Sequence, residues 1–181
     1  MAAHDDSEDY SEEGFLAALL AGQRRAVEAV AASLPSLEAA AQVVSDKVGA
    51  GGRLVYVGAG SSGLIAVQDG AELPGTFGVP ASGICFVIAG GVANAHQIDG
   101  AAEDDHAAGQ REIEALGDMT RDVVIAVSAS GSTPFTVAAA EAARRQRATI
   151  VALANRPGAP LLQVADWPMF SSTSTRKIAG S

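Results

Sequence analysis

Two short runs of small polar residues stand out as places where chemistry could be done. Gly58-Ala59-Gly60-Ser61-Ser62-Gly63 and Ser128-Ala129-Ser130-Gly131-Ser132-Thr133 each follow an apolar segment and open a helical pattern. Backbone N–H groups at a helix start carry partial positive charge, and nearby hydroxyls add further donors, so such a loop can hold an anion, a phosphate above all. The residues placed to do so are Gly60, Ser61 and Ser62 in the first run and Ser128, Ser130, Ser132 and Thr133 in the second. Either loop alone is equally well read as turn and capping chemistry, in which serine and threonine satisfy orphan helix amides. Two of them at one sheet edge can converge on a single phosphate.

The first run also fits the G-x-G-x-x-G pattern of dinucleotide sites. That pattern expects an acidic residue about 20 positions on, at the end of the second strand. Here that strand ends Val87-Ile88-Ala89-Gly90-Gly91, without a carboxylate, and the phosphate reading is preferred.

Carboxylates for proton transfer are available at Glu72, just before Pro74, and at Glu103, which leads the run Glu103-Asp104-Asp105. Each is also explicable as a helix-dipole partner. His96 and His106 are rivals, read as solvated surface residues, and Cys85 lies in the apolar run Ile84 to Ile88, where a thiol behaves as a small hydrophobe.

The elements that must position these residues follow from hydrophobic periodicity. Residues 1–14 form a highly charged, apolar-poor tail that is expected to remain disordered. From Phe15 the spacing predicts a helix whose buried face carries Phe15, Leu16, Leu19, Leu20, Val27 and Val30. Pro35 marks a break, and Ser36 can cap a second helix with Leu37, Ala40, Ala41, Val44 and Val48 along one side. Strands are expected over 53–57, 84–88, 122–127, 149–154 and 165–170. Helices are expected from Ser62 to about Glu72, where Pro74 ends the helix, around 92–96, over 103–116, and from the second serine loop to about Arg145. Strands that are apolar throughout and alternate with helices imply an α/β domain, a parallel sheet with helices on both faces, whose ligands bind beyond the carboxyl ends of the strands.

Composition excludes some partners. With 12 Lys and Arg against 21 Asp and Glu, a net charge of −9, the surface does not suit a nucleic-acid backbone. No run approaches the roughly 20 apolar residues of a membrane span, and the acidic amino terminus is unlike a secretory signal. A cytoplasmic location is expected.

The ordered motifs Gly51 to Gly63, Asp69-Gly70-Ala71-Glu72-Leu73-Pro74-Gly75-Thr76-Phe77-Gly78-Val79-Pro80, Ile88 to Gly91, Gly100 to Asp105, Val127 to Pro134 and Asn155 to Leu161 together resemble the N-acetylmuramic acid 6-phosphate etherases. The resemblance covers nearly everything after the tail and implies a sugar isomerase (SIS) fold over residues 15–181, a three-layer, flavodoxin- or Rossmann-like arrangement with N-terminal helices. It implies loss of D-lactate from the C3 ether of a phosphorylated amino sugar, by elimination across C2 and C3 and then hydration, leaving N-acetylglucosamine 6-phosphate. It places the proton donor to the departing ether oxygen on Glu72 and the C2 base on Glu103. It leaves Asp69, Asp104 and Asp105 for capping and support. No metal or cofactor is implied, because the opened sugar's aldehyde acidifies the C2 proton, and a homodimer is implied, because family sites are completed across a subunit interface.

The chain also departs from the family. The etherases carry arginine where this chain has Leu64 and Ser132. Thr173-Ser174-Thr175-Arg176 resembles a site segment of the family, yet lacks the Gly-Pro-Glu stretch before it and the helical region beyond. The expectation is a truncated or divergent etherase; the alternatives are a phosphosugar sensor without catalysis and a phosphosugar isomerase.

Overall fold

The computed structural model describes residues 12–94 and 99–172. Most of the expected charged tail, His96 and the segment from Thr173 to Ser181 lie outside those residues.

Five strands, β1 (Leu54–Gly58), β2 (Ile84–Ile88), β3 (Val123–Val127), β4 (Thr149–Ala154) and β5 (Trp167–Phe170), form one sheet in the order β2-β1-β3-β4-β5. Every neighbouring pair is parallel. Among the described residues seven α-helices accompany them: α1 (Glu12–Ala31), α2 (Leu34–Gly49), α3 (Gly60–Phe77), α4 (Gly100–Asp104), α5 (His106–Glu114), α6 (Pro134–Arg145) and α7 (Pro160–Val164).

Alternate residues of each strand point to opposite faces, so a strand buried on both sides divides its side chains between two cores. Val55, Val57, Val124, Ala126, Ile150 and Ala152 pack with Ile113 of α5, Phe135 and a run of alanines of α6, and Leu161 of α7. Leu54, Tyr56, Val123, Val151 and Met169 pack with Ala40 of α2 and Ala66 of α3 on the other face. The result is the expected three-layer α/β domain. Small residues let the layers approach: a Cβ at Gly109 of α5 would lie 3.1 Å from the Phe135 carbonyl carbon of α6.

Several expectations are corrected. The stripe along α1 is not buried by this chain: Leu16 is 66% and Val27 73% exposed, and Phe15, Leu19, Leu20 and Val30 are also exposed. Periodicity shows that a helix has an apolar side, not which surface covers it. The break after α1 falls at Ala32 and Ser33, and Pro35 lies in the first turn of α2, where a missing N–H costs nothing. Ser36 is therefore not the cap, and Ala41 faces solvent. Helix α3 runs through Pro74 and stops at Gly78, which is left-handed. The predicted helix at 103–116 is split in two at Asp105, whose carboxylate accepts from the Ala108 amide and starts α5. At 92–96 only a 3-10 turn, Val92–Asn94, is described. Strand β5 begins late, at Trp167, because Asp166 is engaged through both its amide and its carboxylate with Ile150. Cys85 is only partly buried, on an edge strand.

Candidate functional site

The strand order reverses between β1 and β3: the chain runs outward from β1 to β2, then returns to build β3, β4 and β5 on the other side. Loops leaving neighbouring strands in opposite directions open a crevice at such a point. Gly58 pairs with Val127 across these two strands, so the glycine-rich loop and the serine loop begin at the same level and flank that crevice.

In the first loop, β1 turns into α3 within two residues. A Cβ at Gly58 would lie 2.8 Å from the Gly63 Cα, so the strand end and the first helical turn touch backbone to backbone. Gly60 is left-handed, with φ of 51°. Ser61 and Ser62 thus sit in the first turn of α3 itself, Ser61 exposed and Ser62 half-buried.

In the second loop the hydroxyls organise one another. Ser128, 2% exposed, accepts from the Gly131 amide at 3.1 Å and shares hydrogen bonds with Thr133 Oγ1 at 2.9 Å and Ser130 Oγ at 3.3 Å. Ser130 Oγ accepts from the Ser132 amide and hydroxyl, both at 3.2 Å. Ser128 and Thr133 therefore shape the loop from inside, while Ser130 and Ser132 remain at its surface. A Cβ at Gly131 would lie 2.9 Å from Ala154 Cβ, which seats the loop against the end of β4.

Neither helix start uses these hydroxyls as a cap: α3 and α6 both lack a side-chain hydrogen bond at the N-cap. Ser128 and Ser130 do turn chemistry, accepting from amides of their own loop, while no hydroxyl caps α3 or α6 and both helix starts retain their positive ends.

The two glutamates have different fates. Glu103 is half-buried on α4, whose residue Ala102 lies against Gly90 of the turn after β2, and its carboxylate comes down onto Gly60 at the head of α3. A Cβ at Gly60 would overlap Oε1 and lie 3.1 Å from Cδ. The helix whose dipole this carboxylate meets is α3, not its own. Glu72 is exposed and lies twelve residues further along α3 than Gly60, which at 1.5 Å per residue is ~18 Å. Within one chain the fold places Glu103 at the crevice and does not bring Glu72 to it. Glu72 instead shares the outward side of α3 with Leu64, 48% exposed, Ile65, 62% exposed, and Gln68.

The remaining candidates are placed plainly. His106 is exposed at the first turn of α5, and Asp104 is exposed. Asp69 accepts a hydrogen bond from the Tyr56 hydroxyl, an arrangement that residue type and spacing did not announce. Among the described residues no group of three or more His, Cys, Asp or Glu is placed to hold a metal ion, and no helix is long and apolar enough to cross a membrane.

A family model, described as the SIS domain, matches residues 19–155. The chain belongs to the SIS-domain family. Its curated relatives at 37–44% identity over most of the chain are named N-acetylmuramic acid 6-phosphate etherase. The relative from Deinococcus radiodurans is 44% identical over 176 residues, 97% of this chain and 58% of its own. That from Jannaschia sp. is 40% identical over 166 residues, 92% of this chain and 52% of its own. The chain thus spans little more than half the length of these curated relatives. Among solved structures, the phosphoheptose isomerase GmhA from Neisseria gonorrhoeae superposes with a TM-score of 0.70 at 21% identity, covering 93% of this chain and 88% of that one. At that identity the likeness concerns the fold.

Proposed function

We propose that this SIS domain acts as an N-acetylmuramic acid 6-phosphate etherase, a carbon–oxygen lyase of cytoplasmic peptidoglycan recycling that works as a homodimer. The observation that carries the reading is the Glu103 carboxylate held over Gly60, beside a crevice whose other wall is the serine loop. The names of the relatives support the choice of substrate.

In this mechanism the 6-phosphate rests on Ser130, Ser132 and the amides at the heads of α3 and α6, with Ser61 and Ser62 beside it. Ser128 and Thr133 keep the serine loop in shape. The open-chain aldehyde makes the C2 proton acidic, and Glu103 takes it. The electron pair forms the C2–C3 double bond as the C3–O bond breaks, and Glu72 gives its proton to the departing ether oxygen, releasing D-lactate. Water then adds, hydroxyl to C3 and proton to C2, to give N-acetylglucosamine 6-phosphate.

Carbons C2 and C3 are adjacent, so acid and base must meet at one place. With ~18 Å of helix between Gly60 and Glu72, the acid at each crevice comes from the other copy. The exposed apolar residues around Glu72, together with the uncovered stripe on α1, give a second copy a surface to bury.

The test is release of D-lactate from N-acetylmuramic acid 6-phosphate by the purified chain. Mixing the inactive Glu72→Gln and Glu103→Gln variants should restore activity, because half of randomly paired dimers carry one intact site, about a quarter of the wild-type rate. No release by the wild-type chain would defeat the etherase reading. Release without complementation would defeat the shared site. Replacing Ser130 and Ser132 together by alanine should weaken binding of the 6-phosphate about tenfold or more, as two hydrogen bonds to a charged group are lost, and leave the unphosphorylated sugar unaffected. Equal weakening of both ligands would remove these hydroxyls from the phosphate site.

A further inference from the structure

The inner side of α3 carries an arrangement that the mechanism above does not use. Tyr56, 3% exposed, stands in the middle of β1 opposite Phe86 of β2, and the two rings stack with centroids 5.8 Å apart. Helix α3 lies directly on this pair. A Cβ at Gly70 would be 2.6 Å from Phe86 Cε1 and 2.9 Å from Tyr56 Cε2, so only glycine allows the approach. A buried phenol needs an acceptor, and Tyr56 donates its hydrogen bond to Asp69, the residue before that glycine. Burial first, and the bond to Asp69 second, raise the Tyr56 pKa above its ordinary value and keep the hydroxyl a donor.

Four residues beyond Gly70 comes Pro74, inside the helix. Proline has no N–H to return to the Gly70 carbonyl, and its ring crowds that carbonyl, so the helix is weakest between the two. Glu72 sits in that interval. Among the described residues, the Tyr56–Asp69 bond is the only side-chain hydrogen bond between α3 and the sheet. It lies one turn before Glu72, next to Gly70, which rests on the two rings, and ahead of Leu73, which packs against the same core.

We infer that Tyr56 and Asp69 are positioning residues for Glu72: their hydrogen bond fixes the rotation of α3 immediately ahead of the Pro74 weak point and so sets where Glu72 points. This rests on the reading of Glu72 as the acid that protonates the leaving ether. Displacing a catalytic group by about 1 Å can cost up to ~10²-fold in rate, whereas Glu103 is carried on α4 and meets α3 only at Gly60, nine residues before Asp69.

Tyr56→Phe removes the hydroxyl and keeps the ring, the stacking and the seat for Gly70. Two rates are read on the 181-residue chain: D-lactate release from N-acetylmuramic acid 6-phosphate, and solvent deuterium exchange at C2 of N-acetylglucosamine 6-phosphate, which needs the base and no leaving group. Lactate release is expected to fall about tenfold in Tyr56→Phe and in Asp69→Ala, with exchange held within about twofold. Asp69→Asn keeps a carbonyl acceptor for the Tyr56 hydroxyl and is expected to restore release to near the wild-type rate. Release and exchange falling together, or release unchanged in Tyr56→Phe, would overturn the positioning role. A wild-type chain that exchanges C2 but releases no lactate would instead overturn the etherase reading, and the role assigned to this pair with it.

Discussion

Gly60→Ala is expected to leave a folded protein that still binds phosphosugar but has lost C2 proton exchange by a hundredfold or more. The added Cβ falls where Glu103 Oε1 now lies. The backbone on that side belongs to the tight β1–α3 turn, with Gly58 against Gly63. The carboxylate is the end of a flexible side chain and is the group that gives way. Left-handed backbone at this position, φ of 51°, adds a strain of ~1–2 kcal/mol for a residue with a Cβ, a modest loss beside the catalytic effect. Since general base catalysis contributes roughly 10²–10⁴-fold, an evicted base should cost most of that range. Glu103→Gln gives the chemical counterpart: no steric change, the same loss of exchange, binding nearly intact. The two variants should agree in exchange rate and differ in melting temperature, with Gly60→Ala the lower. Exchange surviving in Gly60→Ala while absent in Glu103→Gln would mean that Glu103 acts from a different position than the one over Gly60.

The second large effect is on stability and lies at the opposite end of the strands. Asp122, 4% exposed, precedes β3 and accepts from the Arg53 amide at 2.8 Å, from Nε at 2.9 Å and from Nη2 at 2.6 Å. Arg53 also donates to the Leu116 and Asp118 carbonyls at 3.0 and 3.1 Å. One carboxylate thereby joins the entries of β1 and β3, the two strands that flank the crevice at their other ends. Asp122→Ala would leave the Arg53 amide and guanidinium with lost partners. Breaking one side of a buried pair costs ~3–5 kcal/mol, and since the Arg53 side chain is 28% exposed the low end, about 3 kcal/mol, is expected. For a domain of this size that is a fall of roughly 6–12 °C in melting temperature. Urea unfolding should show a lower midpoint with an unchanged slope, and lactate release per folded molecule should stay at the wild-type level. A loss below about 1 kcal/mol would show that water replaces the carboxylate in satisfying Arg53.

Much of this molecule is legible in its sequence because the relevant signals are local. Continuous apolar runs such as Leu54 to Val57 and Val123 to Val127 cannot face water on either side, so they announce strands buried in a parallel sheet, and the small-residue runs after them announce tight turns into helices. Ser130 and Ser132 could be named as surface donors from residue type alone. The division of labour inside the serine loop could not: whether Ser128 faces a ligand or braces the loop depends on which way its hydroxyl turns, and burial decides that. Pro74 misled for a related reason. A proline penalises a helix interior by about 3 kcal/mol, and packing of α3 against Tyr56 and Phe86 outweighs it.

The alternation of strands and helices along the chain and the short list of donors and carboxylates were set by sequence, through periodicity and side-chain chemistry that act over a few residues. What tertiary structure decided is distance. It placed Glu103 on Gly60, more than forty residues away in the chain. It left Glu72, only twelve residues from that glycine, ~18 Å along the helix. It turned the apolar stripe of α1 to the outside and tied Tyr56 to Asp69. A helix holds near neighbours apart along its axis, while a sheet with crossover connections brings remote segments to one edge. Proximity in the chain and proximity at the crevice are therefore independent, and the choice of which carboxylate meets the switch point belongs to the fold.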